Sequence, residues 1–509
     1  MDDLVLLGDV LTVDDQRRVI DDGAVYVHDG VIDAVQPAGD APPAGFSTAR
    51  RVHTGGLIAP GLIDLHNHLA YNTLPLWIGR DRAYETRYQW PGAPTYQSDV
   101  SNPAQALGIA AAAAALRFAE VKAIVGGVTS IQGSPPMTRA FPGWMLRNIE
   151  KEEHGVKQPI FQSVLPATDD QLDKTSGRMR DGRGFIYHLG EGVADSLRKE
   201  FTQLCDHECV GDGLIGIHST ALDAADFTEW KRRGGGAIVW SPFSNLWLYG
   251  GTTDVIAARA AGIRVCLGSD WTPSGTRNVL GELKVAATWN EHALAGALSD
   301  ADMVEMATAN AGDTLARSWG VRVGRLVPGA LADIAVFARV DADPWRSVLR
   351  ANERHVRFVV VGGRPAYGNA VLLREAGVTD AEPITVRGVR RAVVMRLADE
   401  LLPTEPDLQA QATKSWAAGL AELQRVWDDP ATAVRRAREQ RGVGAEPLEF
   451  VPDLPAAGDD EARALDDEEL DQLVMPTFDG IGHDAGWQMA VRSRAPAHAP
   501  VLRDAMSRF

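Results

Sequence analysis

Cysteine is scarce in this chain, three residues in 509. So few over such a length cannot form a disulfide framework, which excludes the small stapled scaffolds. Cys205 and Cys209 lie four apart with His207 between them, and Cys266 stands in a distant apolar run. Packing accounts for these cysteines better than a metal site does. Long unbroken apolar runs are also missing. The nearest, Leu107 to Val128, is interrupted by Arg117, Glu120 and Lys122. It reads as an Ala-rich helix lying against a barrel, not as a membrane span. The N-terminus, MDDLVLLGDV, has neither a positive n-region nor a long apolar h-region. A cytoplasmic protein without a signal peptide or membrane partner is therefore expected. Excess positive charge is absent too: 68 acidic residues face 51 basic ones, for a net charge of -17. A phosphate backbone would be repelled, which argues against nucleic acid as a partner. No internal repeat stands out.

What is present is an ordinary soluble composition, 45% hydrophobic and 23% charged. The length exceeds what one compact core usually fills. A barrel of about 250 residues or more with one or two smaller domains would account for it. Three zones are legible. Residues 1–58 hold short alternating apolar runs broken by turn signals, as in GAVYVHDGVIDAV, and fit small half-buried strands. Residues 59–319 alternate short strand-like runs with helical ones. The strand-like runs are LIDLHNHLA, GGVTSIQGS, PIFQSVLP, GFIYHLGEG, GLIGIHST, GAIVWSPFSN and GIRVCLGSD. This alternation implies βα units and a parallel sheet, with the third strand poorly marked near WMLRNIE. Residues 320–375 return to short strands with Gly and Pro turns. Residues 376–509 form a mainly helical C-terminal extension that begins with one basic strand-like piece, TVRGVRRAVVMRL.

The chemistry lies at the ends of the apolar runs. His66 and His68 close LIDLHNHLA. Two apart on a strand, they point to one face and can converge on one cation. Alone such a pair is a weak signal. His188 ends GFIYHLGEG, His218 ends GLIGIHST and Asp270 ends GIRVCLGSD. A (β/α)8 barrel places its active site at those strand ends. Several metal-capable termini in one barrel are hard to explain as packing, since a core histidine needs only a satisfied nitrogen.

PGLIDLHNHL resembles the first-strand signature of the amidohydrolase superfamily, and GGVTSI resembles its second strand. GLIAPGLID, GRLVPGALADIAVF and VVVGGRPAYG are similar to the family's flanking β-sandwich. The resemblance covers roughly residues 1 to 370. It implies a (β/α)8 TIM-like barrel at 59–319, with a small β-sandwich domain from 1–58 and 320–375. The cytosine deaminase and triazine hydrolase branch carries a His-X-X-Glu at its fifth strand, here His188 to Glu191. The resemblance implies His66, His68, His188 and Asp270 as metal ligands, with Glu191, His218 and Asp270 as catalytic residues. Branches with two metals usually bridge them with a strand-four lysine. PIFQSVLP has none, with Lys157 before it and Lys174 after it, so one metal is expected. Deaminases of this branch usually follow the last aspartate with a Ser-Asn-Asn type of sequence. This chain reads SDWTPSGTRNVLGEL.

Imidazoles with one carboxylate suit Zn²⁺ first, and also Fe²⁺ or Mn²⁺. Such a metal lowers the pKa of its water from 15.7 to about 7, making hydroxide available. Glu191 would shuttle a proton, His218 would hold the water or polarise the reacting carbon, and Asp270 would accept the water's proton. Arg277 and Asn278 are candidate binders of an anionic or carbonyl group. Ser241 and Asn245 are candidates for the rim, and Trp77, Tyr84, Trp90, Trp247 and Trp271 for an aromatic wall; Trp77 and Trp271 are kept as substrate contacts. Glu282 and Lys284 read as structural. The expectation is hydrolysis of a non-peptide carbon–nitrogen bond in a small molecule, by a homo-oligomer. It would be deamination of a cyclic amidine or N-heterocycle, or amide hydrolysis. Displacement of another leaving group, as in a chlorohydrolase, is one alternative. A non-catalytic barrel serving binding or assembly is another.

Overall fold

The alternating apolar runs at the N-terminus become four strands: β1 (Leu4–Leu11), β2 (Val19–His28), β3 (Val31–Pro37) and β4 (Arg50–Pro60). Strand β4 starts half-exposed, alternating in burial, and ends with five buried residues in a row. Its second half is covered on both faces, and the chain passes through Gly61 directly into the next layer. The protein is described by a computed structural model, over residues 3–80, 82–133, 145–150, 160–161, 166–395, 409–410, 412–441, 465–476, 478, 481, 484–495 and 499–509.

Eight strands follow in a parallel arrangement. They are β5 (Leu62–Asp64), β6 (Val128–Ile131), β7 (Arg147–Asn148), β8 (Ile160–Phe161), β9 (Phe185–Leu189), β10 (Leu214–His218), β11 (Ala237–Trp240) and β12 (Arg264–Leu267). They pair in chain order as β5-β6-β7 and β8-β9-β10-β11-β12. The first and last are joined: Leu65 donates to the Leu267 carbonyl at 3.3 Å, and Asn67 bridges Asp270 in parallel. Helices lie between them, among them the Ala-rich Asn102–Ile124, Arg198–Asp206 and Ala224–Arg232. Strands covered on both faces need no polar alternation, and every residue of β9, β10 and β11 is buried. Ile63, Ile186, Ile215, Ile217 and Val239 fill one core with Leu315 and Trp319 of the helix Ala309–Trp319. This is an α/β chain with parallel strands in TIM-barrel order. The weakly marked third strand is real and two residues long.

After the barrel come β13 (Ile334–Phe337), β14 (Val356–Val361), β15 (Arg364–Gly368), β16 (Glu382–Val386) and β17 (Val389–Val393). With β1–β4 they make one nine-stranded sheet, in the order β16-β17-β15-β14-β13-β4-β1-β2-β3. The sheet runs on to Val393, beyond residue 375, because the basic piece folds as a hairpin rather than one strand. Of the remaining chain, helix Trp416–Asp428 packs on Asn102–Ile124, with Trp416 and Phe118 stacked at 5.9 Å. Trp487 sits 5.3 Å from Phe243 and 5.0 Å from Phe509. No helix among the described residues is long and apolar enough to cross a membrane.

Candidate metal centre

The ends of β5, β9, β10 and β12 bring four imidazoles and a carboxylate together. The His66 ring lies 4.9 Å from His68, 4.8 Å from His188 and 5.2 Å from His218. Asp270 Oδ1 is 3.2 Å from His66 Nε2 and 3.6 Å from His68 Nε2. Ligand atoms of His66, His188 and His218 all lie within 4.8 Å of one another, and so do those of His66, His68 and Asp270. The backbone supports this convergence at some cost. His218 and Asp270 both sit at left-handed φ, 62° and 61°. Such positions typically cost on the order of 1–3 kcal/mol for non-glycine residues and persist where function needs them.

The electrostatics favour neutral imidazoles. Burial pushes His188 well below its usual pKa, helped by the neighbouring His66, His68 and His218. Burial also lowers His66, against the pull of Asp270, and takes His218 down to about 3. Burial alone would raise Asp270, but the surrounding histidines, His66 first, outweigh it and hold the carboxyl low. His66 Nε2 and both His188 nitrogens are buried without a hydrogen-bond partner. Unpartnered buried nitrogens normally cost stability. Lone pairs beside a carboxylate fit a divalent cation, which would satisfy them.

His66, Asp270, His218 and Glu191 are oriented from behind. Gln132 Oε1 accepts from the Asn67 amide at 3.0 Å and lies 3.0 Å from His66 Nδ1, while its amide nitrogen donates to Glu150. With Nδ1 donating, Nε2 carries the lone pair toward the site. The short helix Pro242–Tyr249 does the same for three other groups. Ser244 Oγ donates to Asp270 Oδ2 at 2.5 Å, Asn245 Oδ1 lies 2.9 Å from His218 Nδ1, and the Tyr249 hydroxyl donates to Glu191 Oε1 at 2.6 Å. Pro242 in its first turn and the left-handed Gly250 after it bound this helix.

Glu191 lies on the loop after β9, its carboxyl 3.7 Å from His218 Nε2. Burial raises its pKa to about 7, against the nearby Arg87. The loop is pinned by Gly192, at φ 137°, where a Cβ would fall 2.3 Å from the Glu85 carbonyl. Arg87 and Val193 complete the pairing, donating to the carbonyls of Glu191 and Glu85 at 3.1 and 2.8 Å.

A narrow cavity of about 20 Å³ opens onto the cluster, lined by His68, Tyr71, Trp90, Tyr96, His188, Glu191, Asp270 and Trp271. That is room for about one water or ion. Trp90 and Tyr96 come from the segment between β5 and the helix Asn102–Ile124, which roofs the site. A larger cavity, about 490 Å³, lies on the far side of the helix Val279–His292 among Glu291, Arg346 and Arg508, away from the cluster.

Of the expected substrate contacts, Trp271 lines the pocket. Trp77 stands behind it, stacked on Tyr84 at 6.4 Å with its Nε1 donating to Thr95. Asn278 does not reach the cavity: its Oδ1 caps the helix Val279–His292 through the Gly281 amide at 3.2 Å, and its Nδ2 donates to Glu353. Arg277 is buried and helps hold the Glu353 carboxyl down. The turn Trp271–Gly275, closed by the Gly275 amide on the Trp271 carbonyl at 2.6 Å, separates both residues from the strand end. Glu282 and Lys284 bond to backbone groups and Thr276. Ser241 is buried with its hydroxyl unpartnered. Cys209 donates to the Leu172 carbonyl and His207 pairs with Asp169 and Asp173. Lys157 lies outside the described residues, and Lys174 is exposed on the helix Asp169–Arg180. Sequence reasoning missed Gln132, Ser244 and Tyr249. The Pro-to-Gly bounded stretch PFSNLWLYG was the available signal for Tyr249, because it shares a helix face with Asn245, four residues before it.

The amidohydrolase family model matches residues 179–366. A 5-methylthioadenosine/S-adenosylhomocysteine deaminase of Syntrophobacter fumaroxidans is 26% identical over 412 residues, 71% of this chain and 92% of that protein. An adenosine deaminase structure from Xanthomonas campestris with bound zinc superposes with a TM-score of 0.59 at 19% identity, covering 86% of this chain and 98% of that one. An atrazine chlorohydrolase structure from Arthrobacter aurescens, also with zinc, gives 0.53 at 18% identity, covering 71% and 95%.

Proposed function

Because the chain is a metal-dependent hydrolase of the amidohydrolase superfamily, acting on non-peptide carbon–nitrogen bonds, we propose that it deaminates an N-heterocycle. Water would replace an exocyclic amino group, which leaves as ammonia. The observation that carries this reading is the buried set of unpartnered imidazole nitrogens around Asp270, beside a carboxyl poised near neutrality. His66, His68, His188 and Asp270 would hold one divalent cation, Zn²⁺ first by its donor set. A cation bound there acidifies water from 15.7 to about 7.

The remaining steps belong to the chain's own groups. Asp270 accepts a proton from the attacking water. His218, its Nδ1 fixed on Asn245, presents the Nε2 lone pair to the attacking water and holds it by accepting its hydrogen bond. Glu191 protonates the ring nitrogen beside the reacting carbon and recovers a proton from the adduct's hydroxyl as the carbonyl forms, while Asp270 passes the water's first proton to the amine, which departs as ammonia. Tyr71, Trp90, Tyr96 and Trp271 stack against the heterocycle after the roof opens, since about 20 Å³ admits no purine. In the same reading the nine-stranded sheet is the accessory β-domain, the helices beyond residue 409 belong to a C-terminal extension of the chain, and the chain assembles as a homo-oligomer.

The test is ammonia release across a panel of amino-heterocycles, with S-adenosylhomocysteine and 5-methylthioadenosine placed first by the relative's name. Linear and cyclic amides serve as the counter-panel. Metal analysis of the same preparation runs alongside. Stoichiometric metal with ammonia release is expected. Metal-free protein that is inert on the whole panel would leave only the non-catalytic barrel. The four-ring roof favours a second reading, a less polar ring bearing another leaving group, and chloride release from chlorinated triazines would select it.

A further inference from the structure

The two carboxyl oxygens of Glu191 have unlike surroundings. Oε1 accepts the Tyr249 hydroxyl at 2.6 Å, whereas Oε2 is buried without a hydrogen-bond partner. Tyr249 is itself oriented, because Trp90 Nε1 donates to its oxygen at 3.1 Å. A phenol has one proton to give. With Trp90 filling an acceptor position, that proton is directed to Glu191. All three side chains are buried, where making or losing a hydrogen bond counts most. Burial and the Glu191 charge keep the Tyr249 hydroxyl protonated, so it stays a donor.

We propose that Tyr249 is a positioning residue which, held by Trp90, occupies Oε1 of Glu191 and so confines the transferable proton to Oε2. The inference rests on the reading of Glu191 as the proton carrier. A carboxyl with two equivalent oxygens delivers its proton from either, in either rotamer. With Oε1 committed as an acceptor, only one oxygen and one rotamer remain productive. The arrangement also ties the acid to the roof. Trp90 belongs to the segment between β5 and the helix Asn102–Ile124, and Tyr249 to the helix Pro242–Tyr249. Orientation of Glu191 is therefore complete only when the aromatic roof is in place, and substrate that displaces Trp90 must restore it before the proton moves.

The test uses the full-length, metal-loaded chain and the variants Tyr249→Phe, Trp90→Phe, Glu191→Gln and Tyr249→Phe/Glu191→Gln. Infrared difference spectra identify the Glu191 carboxyl band as the one Glu191→Gln removes. In Tyr249→Phe that band moves to higher wavenumber, whether or not a substrate is known. On the heterocycle that the parent protein turns over, Tyr249→Phe lowers kcat about 10-fold with KM within about twofold, a fraction of what acid–base help supplies. Trp90→Phe shifts both readouts in the same direction by less. The double variant is no slower than Glu191→Gln alone, since both changes remove one function. An unmoved band, or parental kcat in Tyr249→Phe alongside an impaired Glu191→Gln, overturns the inference. Parental turnover in Glu191→Gln overturns the acid assignment itself, and the inference with it.

Discussion

His188 at the end of β9 and Glu191 on the loop after it stand three residues apart, and removal of each should leave a different signature. Glu191→Gln keeps the cluster of imidazoles intact, so metal content is retained while turnover falls by at least about 10²-fold. His188→Ala removes two buried, unpartnered nitrogens from the centre of that cluster, so metal is lost along with activity. Metal analysis beside steady-state rates separates the two. Glu191 also makes a prediction that needs no substrate. Burial raises its pKa from 4.5 to about 7 in the folded chain. Between those values the folded protein holds a proton that the unfolded chain has released. The carboxyl's contribution is thus fully present below about 4.5 and is lost as pH rises toward 7. The shift corresponds to a few kcal/mol at most, about 1.4 per pKa unit. In metal-free protein, the melting temperature of Glu191→Gln relative to the parent should therefore rise from pH 5 to pH 8. A constant difference would mean that the site is wetter than its burial implies.

At the scale of elements, the helix Pro242–Tyr249 governs the site more than any strand does. Asn245 fixes the His218 tautomer, and loss of such an outer partner typically costs about 10–100-fold in activity or metal affinity. Asn245→Ala is expected in that range. Asn245→Asp, which keeps an acceptor, should recover most of the loss; equal impairment of both would assign Asn245 to packing. The strand ends bearing His66, His68, His188, His218 and Asp270 were legible because parallel strands read as apolar runs with a polar residue at the exit. The helix was not. Pro242 follows β11 after a single residue, so GAIVWSPFSN reads as one continuous segment. The hairpin β16–β17 was hidden for a different reason. Its turn is Arg387-Gly388, both at positive φ, 47° and 76°. Such a turn usually announces itself with Asn or Asp in the first position. An arginine there disguised two strands as one and set the end of the sheet 18 residues early, at 375 instead of Val393. Asn278 misled in the opposite sense, since a polar residue shortly after a strand end serves equally well as a helix cap.

On the scale of the whole molecule, two tryptophans of the chain beyond residue 409 pack on the barrel with different consequences. Trp416 stacks on Phe118 of the long Ala-rich helix, and neither ring lines the cavity at the cluster. Trp487 packs against Phe243, which stacks on Trp247 at 5.7 Å, and these two rings form the outer face of the helix whose inner face holds Asp270, His218 and Glu191. Arg80 of the roof segment lies over Trp247 at 4.6 Å and donates to the Arg494 carbonyl at 3.0 Å. Both tryptophans are buried, so truncating either to alanine should cost about 3–5 kcal/mol of stability. If the extension merely adds core, the two variants will melt alike and turn over alike. If it braces the helix, Trp487→Ala will lose kcat as well, at unchanged metal content, because Ser244, Asn245 and Tyr249 shift together. Trp416→Ala will keep the parental kcat at temperatures below its own melting transition. Measuring kcat and melting temperature for the pair decides between these, and equal kcat in both would assign the extension to stability alone.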